Sequence, residues 1–427
     1  MRKSGILGSA VLVLAAPLAS AKTWTVGGTG ADFSDLPAAI AAASDGDVIL
    51  VRSGAYSGFD LDKGLAIVSS AAAVSIAGDV TIHDVAAPGR AVLRGFVFDD
   101  ESVLTLRSSS GEIVVEEVTL PFTYDDTVTR VHVSDCSNVA FTDLDAEGGR
   151  SLTKAGPAVL LERSSVRFAQ AVILGGYGSG ADDANSIAAV DGGDALDVSD
   201  SYVVLNRPAL IGGNGGAGDM FFCNVPDGAN GGHGMVVAGA ASDVQILGRV
   251  DHVVAGGAGG DGNAACGAGG DGGDGVHGPG VISQARLAGG TKGLGFSWGH
   301  DGSESDGKIQ RDDALPTLRL DGMLDPGDDA SFFLNAFSPS NVVLVLAEVG
   351  GFVGNGRFDG PNLSALPGGL YFLLVPGRTD SGGFIVFDFR IPNLPEAEGL
   401  VIEAQAAVLR DDGRSLLSNA TARALGE

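Results

Sequence analysis

Three residues stand at equivalent places in a repeating texture. Asp194, His233 and Asp274 each follow a glycine doublet (Gly192-Gly193, Gly231-Gly232, Gly272-Gly273), at intervals of 39 and 41 residues. If each interval is one turn of a stacked coil, the side chains line up as an Asp-His-Asp column at one corner. Two carboxylates beside an imidazole can bind a divalent cation or hold a general acid next to a base. The same residue types also serve structure, since an Asp at a turn accepts backbone N–H groups and a His there is simply exposed. Asp219, Asp227, Asp261 and Asp271 lie in the same Gly-rich segments. Their oxygens suit Ca²⁺, which takes about six to eight of them. The run from Gly256 to Gly275 lacks the apolar residue after each Asp with which calcium-binding repeats anchor every turn. Ca²⁺ is therefore an option, and no cofactor is required.

The elements that must position these residues announce themselves through a second set of doublets. Gly148-Gly149, Gly175-Gly176, Gly212-Gly213, Gly256-Gly257 and Gly289-Gly290 each close a segment of alternating apolar residues. Val139-x-Phe141, Val166-x-Phe168, Val203-x-Leu205 and Val244-x-Ile246 precede the first four. A constant shift of 37 residues carries Val159 to Leu196, Leu161 to Val198, Val166 to Val203 and Phe168 to Leu205. Period-two apolarity broken by turns marks strands, and strands repeating at such intervals mark a solenoid whose coils bury their inward faces only by stacking. Val166, Phe168, Val203 and Leu205 are expected inside, with Arg167 outward. Between the opening and closing doublets run loops that leave and rejoin the solenoid at one corner, with a texture suited to a close-packed, polyglycine-like layer. The 68 Gly among 427 residues follow no collagen period, so they fit a chain that turns sharply and often.

Residues 1–21 read as an export signal: Arg2 and Lys3, an apolar run from Ile6 to Leu18, and Ala19-Ser20-Ala21 as a cleavage site. The chain is thus expected to be secreted or displayed at the cell surface, and no later apolar run is long enough to span a bilayer. The net charge of −27, or −29 without Arg2 and Lys3, excludes nucleic acid as a partner. Cys223 and Cys266 lie 11 and 10 residues beyond successive doublets. Adjacent coils stand about 4.8 Å apart, so a Cys223–Cys266 disulfide is expected, leaving Cys136 as a lone thiol at a turn.

At the N-terminal end a short strand from Thr23 to Val26 precedes an Ala-rich helical pattern over 32–44, which Asp35 can cap and Pro37 can start, and then an apolar strand from Asp47 to Arg52. Further strands are expected at 66–68, 80–82, 92–98, 104–106 and 113–120. The residues Gly27-Gly28-Thr29-Gly30-Ala31-Asp32-Phe33, the helix, and Val48-Ile49-Leu50-Val51-Arg52-Ser53-Gly54-Ala55-Tyr56 resemble the start of right-handed parallel β-helix proteins, the superfamily of pectin lyases, polygalacturonases and pectin methylesterases. That resemblance implies an all-β chain: a right-handed parallel β-helix solenoid over 22–294 with a short N-terminal capping helix. A polar run, 295–315, reads as a linker. Residues 316–427 alternate at sandwich-like spacing and resemble the small C-terminal β-sandwich of secreted bacterial repeat proteins, which implies attachment or surface presentation.

The superfamily resemblance raises the question of catalysis. Asp182-Asp183 and Gly232-His233-Gly234 resemble two elements of polygalacturonases, but no Asn-Thr-Asp lies upstream and no Arg-Ile-Lys downstream. Methylesterases need a Gln-Asp strand element, and none stands in the matching region. Lyases need Ca²⁺ beside an Arg or Lys base; Arg163, Arg167, Arg207 and Arg249 are the candidates, none with a carboxylate cluster beside it in the sequence. The expectation is a secreted structural or surface-interaction protein without a catalytic site, whose partners would be extracellular polysaccharide or cell-surface components. The alternatives are a carbohydrate-active enzyme, a lyase or hydrolase of acidic glycans, and a non-catalytic glycan-binding protein. Fold alone does not choose among them.

Overall fold

Alternating apolar segments with Gly-marked turns fold as a parallel β-solenoid. The structure, a computed structural model, describes residues 22–70, 74–123, 129–150, 152, 155–181, 187–219, 223–247, 253–307, 309–311, 316–321, 329–336, 339–347, 356–357, 372–390, 401–410, 415–418 and 421–424. The expected export signal, Asp182-Asp183 and Arg249 lie outside these residues. No helix among the described residues is long and apolar enough to cross a membrane.

Each coil contributes three short strands, as in Asn138–Thr142, Asp145–Glu147 and Val159–Glu162, followed by Ser165–Ala169, Val172–Leu174 and Leu196–Ser199. The first strand of every coil joins an 11-stranded parallel sheet, while the second and third build a 15-stranded array connected through Val74–His83. The register is the one the 37-residue shift implies: Val166 pairs with Val203, Phe168 with Leu205, Val159 with Leu196 and Leu161 with Val198. Val166, Phe168, Val203 and Leu205 are all buried, and Phe141 stacks on Phe168 with ring centres 4.9 Å apart. One end is closed by the helix Leu36–Ala42, capped by Asp35, with Leu36, Ala39 and Ile40 facing the core.

Two of the three corners turn on a single residue with positive φ. One carries Glu117, Asp143, Gln170 and Arg207, the other Ser108, Asp135, Arg163 and Asp200. The expected continuous strand over 113–120 is accordingly divided at Glu117 into Glu112–Glu116 and Thr119–Leu120, and that over 92–98 at Gly95, because a coil must bend there to close. After the second of these corners comes a buried ladder. The hydroxyls of Ser164 and Ser201 accept the N–H groups of Cys136 and Ser164, each at 3.0 Å, and donate to the carbonyls of Glu162 and Ser199 at 2.7 Å.

The stretch expected to be a linker is largely part of the solenoid. Ile309–Arg311 pairs in parallel with Val281–Ser283, and Ser297 and Ser305 bridge Ala268 and Val276. Its polar residues line a surface layer, which is why composition alone suggested free chain. Beyond it, antiparallel sheets of three and six strands share one core containing Leu318, Phe332 and Phe387 from the first and Leu344, Ala406 and Val408 from the second. Thr421–Ala424 lies against Glu112–Glu116 and Asn138–Thr142, and Asn206 Nδ2 donates to the Leu318 carbonyl at 3.0 Å. The outward face of the 11-stranded sheet is thereby covered, burying Val92, Val114 and Ala140. Arg167 does point outward but is only 13% exposed. It contacts Glu112, 3.4 Å away, and Asn138 at 2.9 Å, while Arg90 meets the same Glu112 at 2.6 Å, the pairing that a buried carboxylate requires.

Candidate functional site

The third corner is the glycine-rich one. The outgoing and returning arms of the loops interleave in single file, linked by backbone hydrogen bonds from Gly193 to Gly176, Gly213 to Gly193, Gly232 to Gly213, Gly257 to Gly232, Gly273 to Gly257 and Gly290 to Gly273, all 2.7–2.9 Å. Glycine is needed here for close approach rather than for an unusual φ: a Cβ on Gly231 would lie 2.1 Å from the Gly257 carbonyl oxygen. Cys223 and Cys266 form a disulfide between successive loops, with Cα atoms 6.1 Å apart.

At the rim of this stack the expected column forms. The carboxylate of Asp194 accepts the His233 N–H at 2.5 Å, His233 Nδ1 accepts the Asp274 N–H at 2.9 Å, and Asp274 Oδ1 accepts the Ser303 N–H at 2.7 Å. A parallel ladder runs from Asp191 through Asn230 and Asp271 to His300 at 2.6–2.8 Å. Each polar side chain thus replaces the backbone acceptor that the next coil lacks at its turn, the structural role open to such residues. Asp227 and Asp261 do the same for Ala268 and Leu294. The Asp219 carbonyl accepts from the Asn263 side chain at 3.0 Å. Among the described residues, no three of the carboxylates Asp219, Asp227, Asp261 and Asp271 gather within 4.8 Å of one another.

The column has neighbours that the doublets did not reveal. His277 and Asp306 flank it, with His277 Nδ1 2.7 Å from Asp306 Oδ2 and 3.5 Å from Asp274 Oδ2. The rings of His233 and His277 stack with centres 4.5 Å apart. Among the described residues, His233, Asp274 and His277 are the group whose ligand atoms come within 4.8 Å of one another. Their signal in the sequence is the offset of three residues: Asp197 and His277 follow Asp194 and Asp274 onto the strands as Asp-x-x-Asp and Asp-x-x-His. Burial raises the Asp194 pKa, outweighing the hydrogen bond from the His233 N–H and the nearby imidazole. Burial also acts to raise that of Asp274, but hydrogen bonds from Ser303 and His277 prevail and hold it below the usual carboxylate value. The Asp271 pKa is lowered chiefly by the N–H of His300. Of the arginine candidates, Arg163 pairs with Asp135 through two bonds of 2.8 and 2.9 Å, a bidentate contact across two coils away from the column.

The stack ends in a distinctive way. Gly192, Gly231, Gly272 and Asp301 occupy one position in successive returning arms, as do Gly228, Gly269 and Trp298, because the N–H of each glycine bonds the carbonyl just before its successor. A Cβ on Gly269 or Gly272 would collide with the following arm, 2.1 Å from Gly293 O and 2.2 Å from Gly290 O. In the last layer these places carry large side chains. Trp298 is 66% exposed beside Phe296 at 73%. Lys292 lies over the Trp298 ring at 5.2 Å and reaches Asp301 at 3.8 Å.

No protein-family model matches the chain, and no curated protein matches it either.

Proposed function

We propose that this chain is a secreted structural or surface-interaction protein: a right-handed, pectin lyase-like β-helix rod with a C-terminal β-sandwich. The observation that carries the reading is the use of the corner side chains. Asp194, His233 and Asp274, the sequence's best candidates for chemistry, each spend an acceptor atom on the backbone of the next coil. Carboxylates and imidazoles so committed are architecture first. The disulfide supports an oxidising compartment.

A second reading, a carbohydrate-active enzyme, is favoured by the clustering of two stacked imidazoles with the carboxylates of Asp274 and Asp306 at a single corner. A glycan-binding role gains from Phe296 and Trp298, which are exposed at the loop stack. The test is the purified protein lacking residues 1–21, assayed against a panel of acidic glycans with and without Ca²⁺ and beside His233→Ala. The expected outcome is no turnover in any condition. Turnover lost in His233→Ala establishes the enzyme at this corner, and turnover that survives it establishes an enzyme with its site elsewhere. Retention on a glycan column without turnover favours the binding reading.

A further inference from the structure

The corner holding His233, Asp274, His277 and Asp306 offers nitrogen and oxygen donors from three successive coils. We propose that it binds a transition-metal ion of the Zn²⁺ class and that the ion staples those coils together. The inference concerns a ligand, and it stands whether or not the scaffold reading does.

The donors face one another at short range. His277 Nδ1 faces Asp306 Oδ2 at 2.7 Å and Asp274 Oδ2 at 3.5 Å, and His233 Nδ1 stands 3.8 Å from the same Asp274 oxygen. Donors bound about 2.0–2.2 Å from a tetrahedral Zn²⁺ lie roughly 3.3–3.6 Å apart. The separations around Asp274 Oδ2 are therefore near what the ion needs, and the shorter His277–Asp306 contact must open to admit it. His233, Asp274 and His277, whose ligand atoms lie within 4.8 Å of one another, form the primary set. His233 exchanges its hydrogen bond from the Asp274 N–H for the metal, and Asp306, beside His277, comes in as the fourth ligand. Asp274 is anchored for this role, since its other oxygen takes both the N–H and the hydroxyl of Ser303, at 2.7 and 2.6 Å. A carboxylate fixed through one oxygen presents the other in a defined direction, as supporting hydrogen bonds do in metal centres. Two imidazoles with carboxylates select Zn²⁺, Ni²⁺, Co²⁺ or Cu²⁺ over Ca²⁺, which prefers an all-oxygen shell. With His277 and Asp274 on one coil, His233 on the coil before and Asp306 on the coil after, an ion here joins parts of the chain far apart in sequence. It must then raise thermal stability by binding the folded form alone.

The experiment uses chelator-treated protein and Zn²⁺ alone, followed by calorimetric titration and thermal melting, with Co²⁺ as a spectroscopic probe of coordination. The expected result is one equivalent bound, an increased Tm and a visible Co²⁺ band. His277→Ala and Asp306→Asn should each weaken binding at least tenfold. His233→Asn should weaken it too while preserving the fold, because Asn230 already accepts an N–H in the neighbouring ladder. His300→Ala, whose imidazole contacts Asp271 on the exposed rim, should leave binding unchanged. The proposal is overturned if Zn²⁺ neither binds nor shifts the melt, if His277→Ala binds as well as the parent, or if His300→Ala abolishes binding.

Discussion

At Cys136 a thiol occupies a rung where the neighbouring coils place a hydroxyl. Its sulfur donates to the Ser134 carbonyl at 3.4 Å, as Ser164 and Ser201 donate to the residue two places before them. Burial raises its pKa, so the thiol stays protonated and unreactive. Cys136→Ser should accordingly be tolerated within about 1 kcal/mol, whereas Ser164→Ala strips the buried Cys136 N–H of its acceptor and should cost about 1–3 kcal/mol. Urea unfolding of both variants checks the pair. Equal, small effects would show that the ladder contributes nothing. The sequence placed Cys136 at a turn but gave no hint of the ladder, because serines after a corner look like ordinary turn residues until coils are in register. The Asp-His-Asp column was legible because the doublets mark its rungs. His277 and Asp306 were missed because no doublet precedes them.

Strands and arms carry a different lesson. Inward Val and Phe positions of period two were enough to set the register of successive coils, since a one-residue slip would turn every apolar side chain outward. The corners were not legible. Residues such as Gln170 and Arg207 take positive φ because stacked neighbours impose it, and nothing in their side chains advertises the conformation. The polar run after Gly295 misled for a related reason: a terminal layer exchanges glycine for large and charged residues where no further arm has to fit. From this follows a prediction for the last arm. Trp298 and Asp301 block the positions through which another polyglycine arm would dock, a form of protection that exposed edges commonly need. Replacing both by Gly should increase self-association, seen as a concentration-dependent rise in sedimentation coefficient relative to the parent. An unchanged profile would mean that the layer needs no such protection.

For the molecule as a whole, two long-range ties hold coils against each other. One is the Arg90–Glu112–Arg167 cluster, on the face covered by the C-terminal sheets, where Arg167 points outward yet is 13% exposed. No local pattern could have shown that the sheets fold back over this face. The second tie is the Cys223–Cys266 bridge, which closes 43 residues of chain and should contribute about 4 kcal/mol by restricting the unfolded state. Cys223→Ser with Cys266→Ser should lower the denaturation midpoint accordingly, and reductant should lower that of the parent but not of the variant. Identical midpoints for parent and variant would refute this. The pairing of Leu196–Ser199 directly with Met235–Ala238 carries one more implication. Excising residues 196–234 would splice Ala195 to Met235 with every remaining strand in register, and Asp194 would meet Asp274 as it now meets His233, at the loss of Cys223 and of the Asn206 bond to Leu318. Length in this protein is therefore an inheritable variable: recombination between like segments can add or drop a whole rung while the remaining coils keep their register.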